Sequence, residues 1–357
     1  MSQTIQSWHW DDGAGTCTKE DEVGFDGTRL EICRSPSAYF AMIPVHTLAG
    51  GTNIYNWAGD GKDSMFGLSA QIKSPPYAIN DNREIAVVIH RDIGGGDMRD
   101  TIFIFDETGT EQLHIDMDSG ITINYLALGT NYVVVQCSDS HLKWYKVSDG
   151  TLATDISQPK PPKTGTKFLC STKGEWVAYG GADSQGGYGK LKSLSATGFQ
   201  AVAYMNADTG TYQHAFMCFA AVTEETKVLS IGGRVYKKTA FIDKDYNSYF
   251  TIADGDVPAA AVSPCGGYVC YVTDTVIKRW IHESPGSFIA LDDITLPAGW
   301  QVGASGCDMS WYGRYIAILF NTSPKKTAIY SKPKGNVVCA QENSEEIPPI
   351  MTTPKPT

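Results

Sequence analysis

One short pattern constrains this chain more than any other: an alternating apolar segment that ends in a turn rich in Asp, Asn and Gly. It reads TIFIFDETGTEQ from Thr101, LKWYKVSDGTLA from Leu142, AVAYMNADTGTY from Ala201, VIKRWIHESPGSF from Val276 and KTAIYSKPKGNVV from Lys326. A sixth copy, KKTAFIDKDYNSYF from Lys237, lacks the glycine. Gly109, Gly150, Gly210, Gly286 and Gly335 mark the turns, where a tight hairpin needs the positive φ that glycine adopts at little cost. Ahead of the copies run nearly all-apolar segments: REIAVVIH from Arg83, NYVVVQC from Asn131, EWVAYGG from Glu175, KVLSIGG from Lys227, GYVCYVT from Gly267 and RYIAILF from Arg314. Continuous apolar runs of this length suit strands buried on both faces.

Two such hairpins make a four-stranded unit, and the units recur at a steady pitch. Gly109 and Gly150 are 41 residues apart, Gly286 and Gly335 are 49 apart, and the glycine-less copy divides the 76 residues between Gly210 and Gly286, while the 60 residues from Gly150 to Gly210 include the Gly-rich loop at 182–198. Four strands per roughly 40–45 residues is the pitch of a propeller blade. In this rhythm, over residues 76–340, the chain resembles the WD40-like and quinoprotein-like β-propellers. The resemblance implies an all-β fold, a single β-propeller of six or seven four-stranded blades. Residues 1–75 hold strand-like runs at Arg29–Cys33, Tyr39–Pro44, Asn53–Trp57 and Met65–Ile72. They read as a divergent first blade or an N-terminal elaboration, and their length of about one and a half blades favours seven. Residues 341–357 are rich in Pro and Thr and read as a flexible tail. The chain ends are expected to meet in one blade, since closure removes the sheet edges that template aggregation.

Charge narrows the function classes. The formal net charge is −10 and no Lys/Arg run stands out, so nucleic acid is not an expected partner. No segment approaches the run of about 18 apolar residues that a membrane helix needs, so membrane insertion is not expected either. Residues 1–12 show no secretory signal. The nine cysteines, odd in number and several of them inside apolar runs, read as reduced thiols. The expected setting is the cytoplasm or an assembled particle such as a virion.

Few constellations could carry chemistry. Asp243, Asp245, Asn247 and Asp254, with Tyr249 and Thr251, follow the alternating oxygen-ligand spacing of a calcium loop. The same residues suit a hairpin turn, and Ser248 stands where the calcium motif has Gly. His114, Asp116 and Asp118 would share one strand face, with a solvated outer strand as the plainer reading. His90-Arg91-Asp92 matches the kinase catalytic tripeptide without its companions. Gly-rich segments at 182–198 and 91–100 read as loops projecting from the blades, where binding residues concentrate. Trp8, Trp10, Trp57, Trp300 and Trp311 could build a stacking surface, or fill gaps between blades. No nucleophile elbow or partnered histidine motif occurs.

With no catalytic residues and no cofactor other than a candidate calcium ion, the sequence points to a non-catalytic scaffold. Its expected partners are other proteins of a larger assembly, which the nozzle-like propellers of phage tails exemplify. The alternatives are a glycosidase- or lyase-type propeller enzyme with a central acidic funnel, and a carbohydrate-binding propeller.

Overall fold

In a computed structural model of the chain, the residues described are 2–11, 16–26, 29–30, 33–36, 40–46, 50–58, 61–69, 72, 76–157, 168–183, 186–193, 204–205, 216–221, 227–232, 238–243, 249–254, 259–263, 268–273, 275–284, 287–310, 315–322, 325–331 and 337–343. No helix occurs among them. A hairpin of β1 (Ser2–Asp11) and β2 (Thr16–Asp26) is followed by seven antiparallel sheets, each built from consecutive strands. The first holds β3 (Arg29–Leu30), β4 (Cys33–Arg34), β5 (Phe40–His46), β6 (Thr52–Ala58) and β7 (Gly61–Leu68). The second holds β8 (Tyr77–Ile79), β9 (Ile85–Asp92), β10 (Met98–Phe105) and β11 (Glu111–Asp116). The third holds β12 (Ile123–Leu128), β13 (Tyr132–Cys137), β14 (His141–Lys146) and β15 (Leu152–Ser157). The fourth holds β16 (Phe168–Cys170), β17 (Trp176–Asp183), β18 (Gly186–Ser193) and β19 (Tyr204–Met205). The fifth holds β20 (Phe216–Ala221), β21 (Lys227–Gly232), β22 (Lys238–Asp243) and β23 (Tyr249–Asp254). The sixth holds β24 (Ala259–Val262), β25 (Tyr268–Val272), β26 (Val276–Ser284) and β27 (Ser287–Thr295). The seventh holds β28 (Val302–Met309), β29 (Tyr315–Phe320), β30 (Lys325–Ser331) and β31 (Val337–Asn343).

In the first sheet β4 meets β8, and from there the first strand of each sheet meets its counterpart in the next: β8 with β12, β12 with β16, β16 with β20, β20 with β24 and β24 with β28. Arg34 on β4 pairs with Asp308 on β28 at 2.5 Å, so the first sheet also meets the last. This is the connectivity of a β-propeller. The chain ends do not share a sheet as expected, because all seven sheets are contiguous in sequence. The hairpin lies at the seam instead, with β2 against both β7 and β31.

Alternation along the strands explains how adjacent sheets share their cores. Successive side chains leave a strand on opposite faces. Ile85, Val87, Phe103 and Phe105 therefore pack with Phe40, Met42 and Ile54 of the first sheet. Ala86, Val88, Ile102 and Ile104, one residue out of phase, pack with Leu126, Leu128, Val133 and Val135 of the third. Val134, Leu142 and Trp144 then face Val177 and Tyr179 of the fourth. Strands such as β13 are therefore buried along nearly their whole length and are apolar but for Gln136, whereas the outermost β11 and β15 bury one residue each and turn the rest toward water.

Four turns, after β4 in the first sheet and after the first strand of the fourth, sixth and seventh, share a side-chain cap. Ser35, Ser171, Ser263 and Ser310 are buried, and each hydroxyl accepts the backbone N–H of the residue five positions on: Phe40, Trp176, Tyr268 and Tyr315. The serine N–H returns a bond to the carbonyl of that same residue. Asn80 does the same work in the second sheet, its Oδ1 accepting from Glu84 N at 3.0 Å.

Two segments depart from their sequence reading. Within the segment 182–198, read as a projecting loop, Gly186–Ser193 is instead β18, paired with β17 from Asp183↔Gly186 to Trp176↔Ser193, and 184–185 and 194–198 lie outside the described residues. The copy at Ala201 consequently supplies a fourth strand, with Tyr188 opposite Tyr204. The 91–100 loop shrinks to the turn 93–97, because β9 and β10 remain paired out to Asp92↔Met98. Residues 344–357, most of the segment read as a tail, lie outside the described residues.

Candidate functional site

One cluster of charged and polar groups lies at one end of the second sheet. There the β9–β10 tip, residues 93–97, meets the 117–122 linker to the third sheet. The strand pair continues past the packed core, so its last residues alternate between half-buried and exposed. At the tip, Asp92 turns its carboxylate back onto Gly94 N (2.8 Å) and Gly96 N (3.1 Å). Arg99 braces the tip from below, donating to Asp97 Oδ2 through Nε and Nη2 and to Met117 O through Nη1. The bond from Arg99 holds the Asp97 carboxyl below the usual carboxylate range, against a smaller opposing effect of desolvation. Ser119 Oγ reaches the other Asp97 oxygen at 3.3 Å. On this braced tip Ile93 and Met98 stand 39% and 46% exposed, two of the four large apolar side chains that face water among the described residues.

Beneath the tip lies a histidine–carboxylate pair. Asp100 is 2% exposed, and its Oδ1 sits 2.9 Å from Nδ1 of the half-exposed His90. Its Oδ2 accepts Ile123 N–H at 2.7 Å, which fixes the first residue of β12 to the second sheet. A carboxylate this deep is tolerable because both oxygens are engaged. The nearest hydroxyl on β10, Thr101, points to the opposite face, where it donates to Asp116 and accepts from Arg91 Nε. Arg91 lies over the Phe103 ring and pairs with Asp116. The geometry thus joins two sheets and holds a tip; it does not present an activated nucleophile. All three residues of the kinase-like tripeptide are occupied in this way.

The other sequence candidates fall apart in space. The β22–β23 register sets Asp254 opposite Lys238, at the far end of the hairpin from Asp243. Asp245 and Asn247 lie outside the described residues. His114 contacts Glu111 at 2.7 Å, Asp116 serves Arg91 and Thr101, and Asp118 lies beyond the strand. Among the described residues no three His, Cys, Asp or Glu side chains cluster to hold a metal. Trp300 packs edge-on against Phe320 (4.8 Å) in the core between the sixth and seventh sheets. Trp8, Trp10 and Trp57 lie on β1 and β6, and Trp311 lies outside the described residues.

The strands that line the ring's centre bear on the funnel alternative. Together β4, β8, β12, β16, β20, β24 and β28 carry one carboxylate, Asp308, and one cation, Arg34, and these pair with each other. Sequence reasoning overlooked both this pair and the role of Asp100. Strand alternation alone cannot show which isolated polar residue of an apolar run will meet a partner from another sheet.

No protein-family model and no curated protein matches the sequence. Solved structures do share its fold. A chain of the mitotic checkpoint complex aligns with a TM-score of 0.53 at 14% identity, over 84% of this chain and 88% of that one. BamB from Moraxella catarrhalis aligns with a TM-score of 0.51 at 12% identity, over 88% and 87%. Hsv2p from Kluyveromyces lactis aligns with a TM-score of 0.51 at 11% identity, over 87% and 99%. Identities this low show the fold alone, a β-propeller.

Proposed function

We propose that this propeller is a non-catalytic scaffold that binds another protein of a larger assembly through the braced 92–98 tip. The observation that carries the reading is the pair of exposed apolar side chains, Ile93 and Met98, on a tip whose backbone is already fixed by Asp92, Arg99 and Asp97. An apolar knob held in place before binding loses little conformational entropy on docking. Asp92, Asp97 and Asp118 around it favour a partner socket edged with Lys or Arg. The single Arg34–Asp308 pair on the central strands favours the scaffold over an acidic-funnel enzyme. The finer form of the reading is a structural part of a particle such as a phage tail, nozzle-like in role.

The test compares the native chain with an Ile93→Ser/Met98→Ser variant by affinity isolation from the natural source. The expected result is one stoichiometric partner bound to the native chain and lost from a variant of unchanged melting temperature. A partner retained by the variant would refute the tip. A turnover abolished by Asp308→Asn in a folded chain would replace the scaffold with the enzyme.

A further inference from the structure

Two thiols meet between the last two sheets. Cys270 on β25 and Cys307 on β28 are both buried, and their sulfurs lie 3.8 Å apart. They sit in the core shared by the sixth and seventh sheets, among Ala261, Val272, Met309 and Ile318. This is van der Waals contact between sulfurs from different blades, and a disulfide requires them to close to about 2.05 Å. Side-chain rotation supplies much of that movement, because neither cysteine is tied to the other through a shared turn. Directly across the β25–β26 ladder from Cys270 stands Arg279, buried, its guanidinium donating to Asp292 O at 3.0 and 2.6 Å. A fixed cation there offsets negative charge developing on the neighbouring sulfur during attack.

We propose that Cys270 and Cys307 form an oxidation site that takes a peroxide and staples the sixth blade to the seventh. The chemistry balances in two steps. One thiol, as thiolate, attacks a peroxide oxygen; the O–O bond breaks, a sulfenic acid forms, and one water leaves once the departing hydroxide is protonated. The second thiol then attacks the sulfenic sulfur, the S–O bond breaks, and the disulfide forms as a second water departs. The net change is two thiols and one hydrogen peroxide giving one disulfide and two waters. Burial shields the pair from bulky oxidants and reductants, so the staple forms slowly and persists once made. It closes a loop of 37 residues. This site is independent of the scaffold reading above.

The experiment treats the reduced full chain with hydrogen peroxide, alkylates under denaturing conditions, and maps the cysteines by peptide mass. Expected is one cross-linked peptide pair joining Cys270 to Cys307, lighter by two hydrogens than the sum of its reduced parts. Cys137, buried, with no second cysteine sulfur beside it among the described residues and its thiol pushed up to about 12 by burial, stays alkylatable as the internal control. The cross-linked chain melts roughly 5 °C higher than the reduced one, and dithiothreitol reverses the gain. A Cys307→Ala variant, compared by cross-link formation rather than by stability, gives no Cys270 cross-link. The proposal is overturned if both cysteines remain alkylatable once the half-buried Cys33 has oxidised. It is equally overturned if Cys270 pairs with other cysteines as readily as with Cys307.

Discussion

At the scale of single residues, the closest backbone approaches decide which positions tolerate a side chain. The turns 129–131 and 172–174, from adjacent sheets, dock edge to edge: Thr130 N donates to Thr172 O, and Asn131 N and Tyr132 N both donate to Lys173 O. Trp144 Nε1 closes the junction on Gly174 O at 3.1 Å. A Cβ on Gly174 would lie 2.5 Å from Tyr132 O, at a φ of +81°. Gly95 has a similar φ of +67° but open space around it. Gly174→Ala is therefore expected to cost about 2–4 kcal/mol, from strain plus the forced separation of two turns, and Gly95→Ala only about 1 kcal/mol from strain. Urea unfolding of the two variants separates the contributions, and equal losses would show that the turn junction adds nothing. The turn at Thr172-Lys173-Gly174 is legible in the sequence, because Gly punctuates it. It missed the buried serine caps, whose signal is a Ser five positions ahead of an aromatic. That signal was open to view, but it needed the hydrogen bond to give it meaning.

The element scale shows where hydrophobic pattern suffices and where it fails. β9, β13, β25 and β29 were legible because a strand buried on both faces must be apolar at successive positions, as Val133, Val134 and Val135 are. β18 was not legible. Its sequence, GGYGKLKS, has glycine where strands carry β-branched or aromatic residues, and glycine beside a turn reads as loop. Its strand character comes from its neighbours, since β17 pairs along all eight of its residues and β19 joins at Gly187 and Tyr188. The candidate site was half legible: Gly94–Gly96 pointed to an exposed turn, but not to the paired strands that carry it so far out. Two opposite outcomes follow for two segments that look alike in sequence. Replacing residues 93–97 with Asn-Gly keeps the Asp92↔Met98 register and should shift the melting temperature by no more than about 2 °C. Deleting Gly186–Ser193 strands both β17 and β19, and thermal circular dichroism should show cooperative unfolding lost. A cooperative transition in that deletion would mean that the fourth sheet is dispensable.

For the whole molecule, the central question is what makes seven consecutive sheets one ring. Six of the seven junctions join sheets adjacent in sequence, so a short linker already holds each pair together before any packing forms. The seventh joins residues 274 positions apart, with the loop entropy of the entire propeller set against it. Arg34 and Asp308 stand at that junction with 22% and 13% of their side chains exposed, and the β1–β2 hairpin covers its outer edge along β7 and β31. A pair so shielded from water interacts more strongly than one at the surface, and removing one partner leaves the other charge poorly solvated. Arg34→Met and Asp308→Asn should each cost about 2 kcal/mol, while the double variant should cost less than their sum by about 1 kcal/mol. Because ring closure couples every blade to the seam, both single variants should lower one common transition rather than split off a separate unfolding step for the first or seventh sheet. Additive single effects would mean the two charges do not interact in solution. A second transition at lower temperature would mean instead that the ring holds together without its seam, and that the linked neighbours, sheet by sheet, are the unit that folds.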